Sequence, residues 1–379
     1  MAVLSGYTVI EMAGLGPCPM AGMLLADMGA EVIRVERSAQ RDPLYARDMS
    51  ARGKKSIVLN LKHEQGREAL LALGQRADVL LEGYRPGVAE KLGIGPEVCR
   101  QRNPGLVYGR MTGWGQSGPL ALSAGHDANY IALTGALHAI GRPGQKPVLP
   151  LNLVGDFGGG TMFLVAGVLA ALLERQVSGQ GQVVDAAMVD GTANLMWMCH
   201  SFSAGGHWDA ADRGVNLLDG GAFFYDTYET SDGKFIALAP IEPQFYAELV
   251  QRAGLDPDTF SGQKQYERES WADNAIAFAE IFRSRTRDQW CELLEQTDAC
   301  FAPVLSVEEA PSHPHHRARK TYCEVDGFQQ PAPAPRFSRT PSSIRHGQHT
   351  PGEDTVQVLS AAGFTPDQIR LLREQGAVV

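Results

Sequence analysis

The stretch Tyr7–Glu36, YTVIEMAGLGPCPMAGMLLADMGAEVIRVE, predicts a parallel α/β fold. Tyr7–Met12 has the apolar and β-branched composition of a strand, and Ala13–Gly16 is a tight turn. Met20–Met28 is apolar with helical spacing, a glycine ends it, and Glu31–Glu36 is a second strand. Strand, turn, helix and strand in this order form a βαβ unit, whose two strands lie parallel in one sheet.

The same alternation continues downstream. Further strands are predicted at Ser56–Leu59, Asp78–Glu82, Leu106–Thr112 and Gln182–Met188, and helices at Glu64–Arg76 and Met162–Glu174. Alternating strands and helices favour an α/β architecture with an open, Rossmann-like, mostly parallel sheet.

A smaller α+β domain is predicted after this alternation ends. Phe223–Tyr228 and Lys234–Ala239 indicate a hairpin, and helical patterns follow at Glu242–Ala253 and Trp271–Glu295. We therefore expect a large α/β domain at 1–190 and 330–379, linkers at 191–218 and 313–329, and a small α+β domain at 219–312.

Composition narrows the class of protein. The chain has 379 residues, 44% of them hydrophobic, and a formal net charge of −9, which argues against nucleic-acid binding. No signal-peptide pattern is visible, no apolar run reaches the roughly 20 residues of a membrane span, and the six cysteines are scattered. We expect a cytoplasmic protein with reduced thiols and no membrane span.

The turn Gly14-Leu15-Gly16 invites comparison with the dinucleotide-binding motif G-x-G-x-x-G, with Glu36 as the ribose ligand. The third glycine would fall at position 19, which is proline, and Pro17 lacks an N–H for a pyrophosphate. A plain strand–turn–helix corner is the better interpretation.

The segment Arg34–Lys62 is basic in an otherwise acidic chain. It holds eight positive residues against three negative ones, a local surplus of +5: Arg34, Arg37, Arg41, Arg47, Arg52, Lys54, Lys55 and Lys62 against Glu36, Asp42 and Asp48. Either this is a solvated loop face, or it binds a polyanionic small molecule such as a nucleotide or coenzyme A through Arg and Lys.

Two strings carry side chains suited to proton transfer. Gly125–Tyr130, GHDANY, offers the His126 imidazole, and Asn152–Gly160, NLVGDFGGG, offers Asp156 before an apolar helix. A carboxylate at a helix start is stabilised in its charged form by free N–H groups and the helix dipole. On these residues alone, a loop histidine and a helix N-cap remain the alternatives.

Other catalytic motifs are weak. His313, His315 and His316 lie in a proline-containing loop with no acid or thiol at ligand spacing, so no metal site is expected. The chain has no G-x-S-x-G motif of an α/β-hydrolase.

Several strings resemble the family III coenzyme A transferases. They are Glu82–Val88, Leu92-Gly93, Gly181–Asp185, Pro335–Thr340 and the tail Gly363–Pro366. Within that family, Met111–Gln116, the two strings around His126 and Asp156, and Ala239–Tyr246 are similar to the branch that racemises 2-methylacyl-CoA thioesters. The similarity runs from Leu4 to the end of the chain.

This resemblance implies an interlocked homodimer whose large domains bind CoA, with each active site completed by the small domain of the other subunit. It implies a CoA site at Arg37, Leu59, Asn60, Leu61, Lys62, Gly83, Tyr84, Arg85, Lys91, Gly125, Asp127, Ala128, Asn129 and Tyr130. Lys91 keeps the charge but loses the forked geometry of the arginine found in some relatives.

The resemblance also implies the catalytic roles. Family transferases use a carboxylate at the Asp156 position as a covalent acyl acceptor, generally without a histidine matching His126, and shield it with a glycine-rich loop. Here His126 is present, and Gly221 is followed by Ala-Phe-Phe-Tyr-Asp. We therefore expect a racemase in which His126 and Asp156 exchange the α-proton and Glu242 orients His126.

The expected racemase needs no metal or redox cofactor, because CoA is part of its 2-methyl-branched substrate. Backbone N–H groups near Asp127 or at the Asp156 helix start are the expected donors to the enolate oxygen. Met188, Met196 and Met198 are candidates for an adaptable acyl surface, and ordinary core packing is the alternative. A CoA transferase acting through an acyl anhydride on Asp156 is the second interpretation of the function.

Overall fold

Six parallel strands form the central sheet of the protein, in a computed structural model that describes residues 1–40 and 46–379. The strands are β1 (Thr8–Met12), β2 (Glu31–Glu36), β3 (Lys54–Val58), β4 (Val79–Glu82), β5 (Val107–Thr112) and β6 (Val183–Ala187). Their spatial order is β3-β2-β1-β4-β5-β6. The predicted open parallel sheet is confirmed.

Among the described residues up to position 195, eight α-helices lie between or after these strands in the chain. They are α1 (Pro17–Asp27), α2 (Glu64–Gly74), α3 (Val88–Lys91), α4 (Pro96–Arg102), α5 (Asp127–Leu133), α6 (Ala136–Ala139), α7 (Met162–Ser178) and α8 (Met188–Leu195). Alternate residues of the central strands face opposite sides: Ile10 packs in a cluster with α2, and Val9 in a cluster with α1 and α7. Both faces are buried, as expected of a parallel sheet.

A π-helical segment, Leu153–Thr161, runs directly into α7, so that Leu153–Ser178 is one helix of 26 residues. By length and composition alone this helix could cross a membrane, although core helices pass the same test and 44% of its most apolar window is buried. It packs on β5 and β6, with Leu164 and Val168 beside Gly109. These contacts are those of a core helix.

The later part of the chain adds a three-stranded antiparallel sheet, a hairpin and the remaining helices. They are α9 (Trp197–Ala204), β7 (Asp226–Glu229), β8 (Phe235–Leu238), α10 (Pro243–Arg252), α11 (Trp271–Phe282), α12 (Arg287–Leu294), β9 (Phe301–Val304), α13 (Pro314–Arg319), β10 (Tyr322–Val325), β11 (Phe328–Pro331), α14 (Thr355–Ala361) and α15 (Pro366–Glu374). The predicted hairpin of β7 and β8 is confirmed.

One predicted helix, Trp271–Glu295, is two helices in the structure. Thr286 starts the second: its Oγ1 accepts from the Gln289 N–H over 3.2 Å, and Gln289 Oε1 accepts from the Thr286 N–H over 3.0 Å. This reciprocal capping box defines a new helix start, which the shared apolar pattern concealed.

The chain divides into two compact units, and the division differs from the predicted domain boundaries. The first unit is Met1–Thr134, Leu151–Leu195 and Lys320–Val379, and the second is Gly135–Pro150 and Met196–Arg319. Gly135–Pro150 joins the second unit because Arg142 pairs with Asp226 over 2.6 Å and Arg213 donates to the His138 and Gln145 carbonyls. The predicted linker 191–218 contains helix α9 and part of α8.

The core of the second unit is aromatic. Phe223, Phe278 and Trp290 are almost fully buried, and Phe223 meets Phe278 edge to face with ring centroids 4.8 Å apart. Edge-to-face pairs of this kind add about 0.5–1.5 kcal/mol beyond the buried area. This unit therefore has a core of its own.

Candidate active site

The loops that follow β1, β4 and β5 surround a cavity of about 830 Å³ in the first unit. Its walls include Gly16, Gly83, His126, Tyr130 and Asp156. Open α/β sheets bind their ligands at the carboxyl ends of the strands, where these loops lie. The two side chains predicted to carry protons thus line one cavity.

His126 is the N-cap residue of α5. Its backbone N–H donates to Asn129 Oδ1 over 3.0 Å, which fixes the start of the helix, and its side chain is exposed toward the cavity. The preceding Gly125 is held by a hydrogen bond from the Tyr130 hydroxyl to its carbonyl, and Tyr130 packs edge-on against Trp114 at 4.7 Å. The imidazole is therefore presented by an anchored turn.

Asp156 lies in the first turn of the π-helical segment. Asn152, the N-cap of that segment, donates from Nδ2 to Asp156 Oδ2 over 3.1 Å. The Asp156 carboxylate also lies against Gly16, where a side chain would come within 3.2 Å of Oδ2. π-helical turns are rare and often occur at functional sites, and no periodicity in the sequence predicts this one.

The protonation of Asp156 differs from the sequence expectation. The helix start was expected to favour the charged carboxylate, but Asp156 is not an N-cap, and burial raises the pKa of its carboxyl above the usual value. The Asn152 hydrogen bond and the charge of His126 lower this pKa, while the charge of Asp127 raises it. Desolvation is the largest of these effects, so the protonated acid is easier to populate than in water.

Asp127 connects the two strings. It follows His126 in the chain, and its Oδ2 accepts the backbone N–H of Asp156 over 2.7 Å. Asp127 is only 7% exposed, and a side chain at Gly155 would come within 2.5 Å of the same oxygen. The absence of a side chain at position 155 is therefore what lets the carboxylate reach the π-helical turn.

The glycine triplet after Asp156 serves helix packing. A side chain on Gly159 would lie 2.5 Å from Thr192 Oγ1, and one on Gly191 would overlap the Gly159 carbonyl. Only glycine on both sides allows α8 to approach the π-helical segment this closely. The triplet thus braces the helix that carries Asp156.

Most residues expected to contact CoA lie where parallel strands end. Arg37 follows β2, Leu59–Lys62 follow β3, and Gly83–Arg85 follow β4. Leu59 is 1% exposed and its N–H donates to the Glu36 carbonyl over 3.2 Å, so almost none of this residue is accessible to a ligand. Asn60 Oδ1 accepts the Lys62 N–H over 3.2 Å. The loop after β4 forms, with Gly125–Tyr130, a second, narrower cavity of about 280 Å³.

An ionic network of the buried Glu82 and Arg110 with the exposed Glu90 supports the loop after β4. Arg110 Nε donates to Glu82 Oε1 over 2.9 Å, and Arg110 Nη1 donates to Glu90 over 2.8 Å. The other Glu82 oxygen accepts the Tyr84 N–H over 2.6 Å. These bonds connect the end of β4 to α3, whose last residue is the exposed Lys91.

The basic segment Arg34–Lys62 is only partly available for a ligand. Lys54 is buried against Glu11, Arg52 donates to Asp27 over 2.6 Å, and Arg34 donates to Asp48 over 2.7 Å. Lys55 pairs with Glu31. For Arg34, Arg52 and Lys54 both expectations, a solvated face and an anion site, are wrong, because these side chains are buried in ion pairs with acids. Lys55 is partly exposed, and its pairing with Glu31 argues only against the anion site.

Three basic residues of the segment are left without a carboxylate partner among the described residues. They are Arg37, Lys62 and Arg47, which stacks over Phe328 at 4.1 Å. Arg41 and Asp42, also part of the segment, lie outside the residues that the structure describes.

Glu242 lies in the second unit, as the exposed N-cap residue of α10. Its charge helps raise the pKa of Tyr266 and of Cys300, after the larger effect of burial. No hydrogen bond or ion pair of its carboxylate occurs within the described part of the chain.

Methionines line the larger cavity, but only one was expected there. Met188 is on its wall, while Met196 lines a different cavity in the second unit and Met198 is exposed on α9. Sequence reasoning missed Met20, Met23 and Met49, which also line the cavity. The spacing of Met20 and Met23 on one face of α1 was the available signal.

The histidines of the loop before α13 make local contacts. His313 Nε2 lies 2.7 Å from Glu295 Oε1, an acid that is distant in sequence. Within residues 1–40 and 46–379, no group of three or more His, Cys, Asp or Glu side chains is arranged to hold a metal ion.

The chain is similar over nearly its whole length to proteins of one family. The model of "CoA-transferase family III" matches residues 4–355. The chain is 46% identical to mouse alpha-methylacyl-CoA racemase, covering 99% of this chain and 97% of the mouse protein, and 43% identical to the human one, covering 97% and 95%.

A more distant relative has a solved structure. The chain is 32% identical to a Mycobacterium tuberculosis protein named a "probable fatty acyl-CoA transferase", over 79% of this chain and 82% of that one. The crystal structure of that protein superposes with a TM-score of 0.79 at 27% identity, covering 94% of this chain and 99% of that chain. The predicted fold is confirmed.

Proposed function

The chain belongs to CoA-transferase family III, and we propose that it is a racemase that interconverts (2R)- and (2S)-2-methylacyl-CoA thioesters. The observation that carries this proposal is the presence of His126 and Asp156 on the wall of one cavity. Similarity to the mouse and human racemases over nearly the whole chain supports the substrate class.

The reaction needs two groups in opposite protonation states. The α-carbon of a thioester is weakly acidic, because its enolate spreads negative charge onto the thioester oxygen. One group removes the α-proton from one face, the C–H electron pair moves into the enolate, and the other group delivers a proton to the opposite face of the same carbon. The two groups then hold exchanged protonation states, ready for the reverse reaction.

His126 and Asp156 suit these roles. Neutral His126 takes the proton when Asp156 is protonated, and ionised Asp156 takes it when His126 is the imidazolium. Burial raises the pKa of Asp156, and the charge of His126 lowers it. Because burial is the larger effect, the pKa of Asp156 is raised, and the protonated acid that one direction of the reaction requires is easier to populate than in water.

The enolate oxygen requires a hydrogen-bond donor. The Asp156 N–H is already donated to Asp127 Oδ2. The Asp127 N–H, at the first position of α5, has no acceptor among the described residues. We assign the enolate oxygen to the Asp127 N–H, and donors of this type contribute a few kcal/mol to catalysis.

The acyl group is assigned to the methionine-lined part of the cavity. A racemase must hold the methyl group and the chain in exchanged positions on the two sides of the reaction. Met20, Met23, Met49 and Met188 offer flexible side chains that adapt to both arrangements. The CoA moiety is assigned to the loops after β2, β3 and β4, including Arg37 and Gly83–Arg85.

We further propose that the protein is a homodimer in which Glu242 of one subunit orients His126 of the other. Exposed apolar side chains on the Leu153–Ser178 helix support an association of this kind: Leu153, Met162, Leu173 and Val177 are 58%, 52%, 65% and 92% exposed. Such side chains on one helix favour a protein interface. Their exposure and the free Glu242 carboxylate are the support for this arrangement.

The reaction calls for no metal or redox cofactor, because protons move only between carbon and two side chains. CoA enters as part of the substrate. Racemisation that survives dialysis against a chelator is the expected result. We expect the protein to act in the cytoplasm.

A CoA transferase is the second candidate, favoured by the name of the Mycobacterium tuberculosis relative and by the position of the Asp156 carboxylate on a cavity wall. In that reaction the Asp156 carboxylate attacks the thioester carbonyl, the C–S bond breaks, CoA leaves as the thiolate, and the acyl group remains on Asp156 as a mixed anhydride. The segment that would supply a shielding glycine loop speaks against it, because Ala222, Phe223 and Phe224 are buried in the core of the second unit.

Isotope exchange separates the candidates. One enantiomer of a 2-methylacyl-CoA is incubated with the protein in deuterated water, with and without a free carboxylic acid. The racemase yields both enantiomers with deuterium at the α-carbon, whether or not the acid is present. Transfer of CoA to the acid without α-exchange identifies a transferase. CoA binding with neither reaction identifies a non-catalytic binding protein.

A further inference from the structure

The carboxylate of Asp127 is buried within the site and is not fully satisfied. Its Oδ2 accepts the Asp156 N–H, while its Oδ1 is buried without a hydrogen-bond partner among the described residues. Leaving a buried carboxylate oxygen unpaired costs stability. A residue that served only to cap the π-helical turn could do so as a neutral amide, at a lower cost.

The geometry assigns Asp127 as the positioning residue that holds Asp156 in register with His126. It is joined to His126 by a peptide bond and to Asp156 by a hydrogen bond of 2.7 Å. The two proton carriers are 30 positions apart in the sequence. The hydrogen bond of the Asp127 carboxylate links the segment of His126 to the segment of Asp156. This inference rests on the proposed racemase reaction.

Close packing between α5 and the π-helical segment supports this positioning role. A side chain at Gly155 would come within 2.5 Å of Asp127 Oδ2 and 3.0 Å of Ile131 Cγ2, so α5 and the π-helical segment meet at this point. Asp127, Gly155 and the Asp156 N–H therefore form one contact between two elements. A shift of that contact moves the Asp156 carboxylate relative to the imidazole.

The charge of Asp127 has a second effect. It raises the pKa of Asp156, in the same direction as burial, and opposes the effects of Asn152 and His126. The groups whose charge or hydrogen bond acts on the pKa of Asp156 are His126 and Asp127 of α5 and its cap and Asn152 of the π-helical segment, while Tyr130 and Gly16 lie close to its carboxylate. Among them, Asp127 is the one with a negative charge that is not itself a proton carrier.

Two substitutions separate position from charge. Asp127→Asn keeps an oxygen that accepts the Asp156 N–H but removes the charge, and Asp127→Ala removes both. Racemisation of a 2-methylacyl-CoA is measured as kcat and KM across pH, with affinity for free CoA as the control. For Asp127→Ala we expect kcat to fall about a hundredfold, the usual effect of misplacing a catalytic group by about 1 Å, with KM changing much less.

Asp127→Asn should recover most of the loss. Because a negative neighbour raises the pKa of Asp156, its removal lowers that pKa, and the acidic limb of the pH profile should move to lower pH. Asp127→Ala with the activity of the wild type, or Asp127→Asn as impaired as Asp127→Ala, overturns the positioning role. An acidic limb that does not move in Asp127→Asn overturns the role of the charge.

Failure of the proposed function gives a different result. If the wild type racemises no 2-methylacyl-CoA, the proposed reaction is wrong whatever the variants do. The positions are then tested by ¹³C NMR titration of the Asp156 carboxyl, assigned with Asp156→Asn. A lower pKa of Asp156 in Asp127→Asn supports the coupling, and an unchanged one overturns it.

Discussion

Asn152 donates from Nδ2 to Oδ2 of Asp156 over 3.1 Å, one helical turn before it in the π-helical segment. The amide stabilises the ionised carboxylate and so lowers the pKa of Asp156 against the larger, opposite effect of burial. Asn152 and Asp127 thus act on the same carboxyl group in opposite directions.

Replacing Asn152 by Leu should raise the pKa of Asp156. The hydrogen bond favours the charged form, so its loss favours the protonated form, and the acidic limb of the pH–rate profile should move to higher pH. This is opposite in sign to the shift expected for Asp127→Asn, and the double variant should fall between the two. An acidic limb that moves to lower pH in Asn152→Leu contradicts the assignment. Asn194→Leu is the matched control, because the Asn194 amide donates to the Asp190 carbonyl over 3.0 Å.

His126→Ala and Asp156→Asn should each lose racemisation by a factor of about 10²–10⁴, the usual contribution of a general acid or base. Both side chains face a cavity and neither is fully buried, so folding and CoA affinity should persist. Racemisation and CoA binding by calorimetry are measured side by side. A variant that keeps wild-type racemisation removes that residue from its role.

Glu242 can be tested by mixing subunits. Glu242→Gln and His126→Ala are each expected to be impaired alone. If Glu242 acts across the dimer, co-expression should restore about a quarter of the wild-type rate, because about half of randomly paired dimers are hybrids with one complete site in two. No recovery on co-expression places the Glu242 contact within one subunit or removes it from the mechanism.

Gly159→Ala should destabilise the first unit by about 1–3 kcal/mol, the range for overpacking. The added Cβ would lie 2.5 Å from Thr192 Oγ1 and 2.9 Å from the Met188 carbonyl oxygen. Urea unfolding measures the change. Gly74→Ala, which would meet nothing within 4 Å at the end of α2, should be neutral or slightly stabilising. Equal changes in unfolding free energy at the two positions would contradict the prediction that α8 and the π-helical segment pack too closely to accept a side chain at position 159.

Lys54→Met should cost about 3–5 kcal/mol of unfolding free energy, because it leaves the Glu11 carboxylate buried beside a lost partner. Burial raises the pKa of Glu11 and lowers that of Lys54, so each charge depends on the other. Lys55→Met is the control: its partner Glu31 is 43% exposed, and exposed pairs contribute under about 1 kcal/mol. A loss at Lys54 no larger than that at Lys55 would contradict the predicted dependence.

Local patterns were sufficient for much of the fold. The strand at Glu31–Glu36 occurs as predicted. Its six residues alternate between the two buried faces of the sheet, and this period of two is typical of a strand. The strand–turn–helix corner after β1 is also present, and Pro17, which argued against a pyrophosphate, is the first residue of α1. These features depend on neighbours in the sequence, which is why a pattern can reveal them.

The basic segment shows where such reasoning ends. Eight positive charges within thirty residues indicate a ligand site only if no acid from elsewhere reaches them. Glu11 and Asp27 come from β1 and α1, and they pair with Lys54 and Arg52 because the parallel sheet brings those elements together. Charge counted along the chain therefore overestimated charge available at the surface.

The sequence was sufficient to identify the residue types of the site: an imidazole after a glycine, a carboxylate before an apolar helix, and family motifs around both. Their arrangement was not. His126 and Asp156 share a cavity because α5 meets a π-helical turn at Gly155, and the Asp127 carboxylate bonds across that contact. Protonation followed the same rule, since the pKa of Asp156 depends on burial and on charges brought near by folding. The sequence determines which side chains can transfer a proton, whereas their burial and the distances between them, which set the pKa of Asp156, are determined only by tertiary packing.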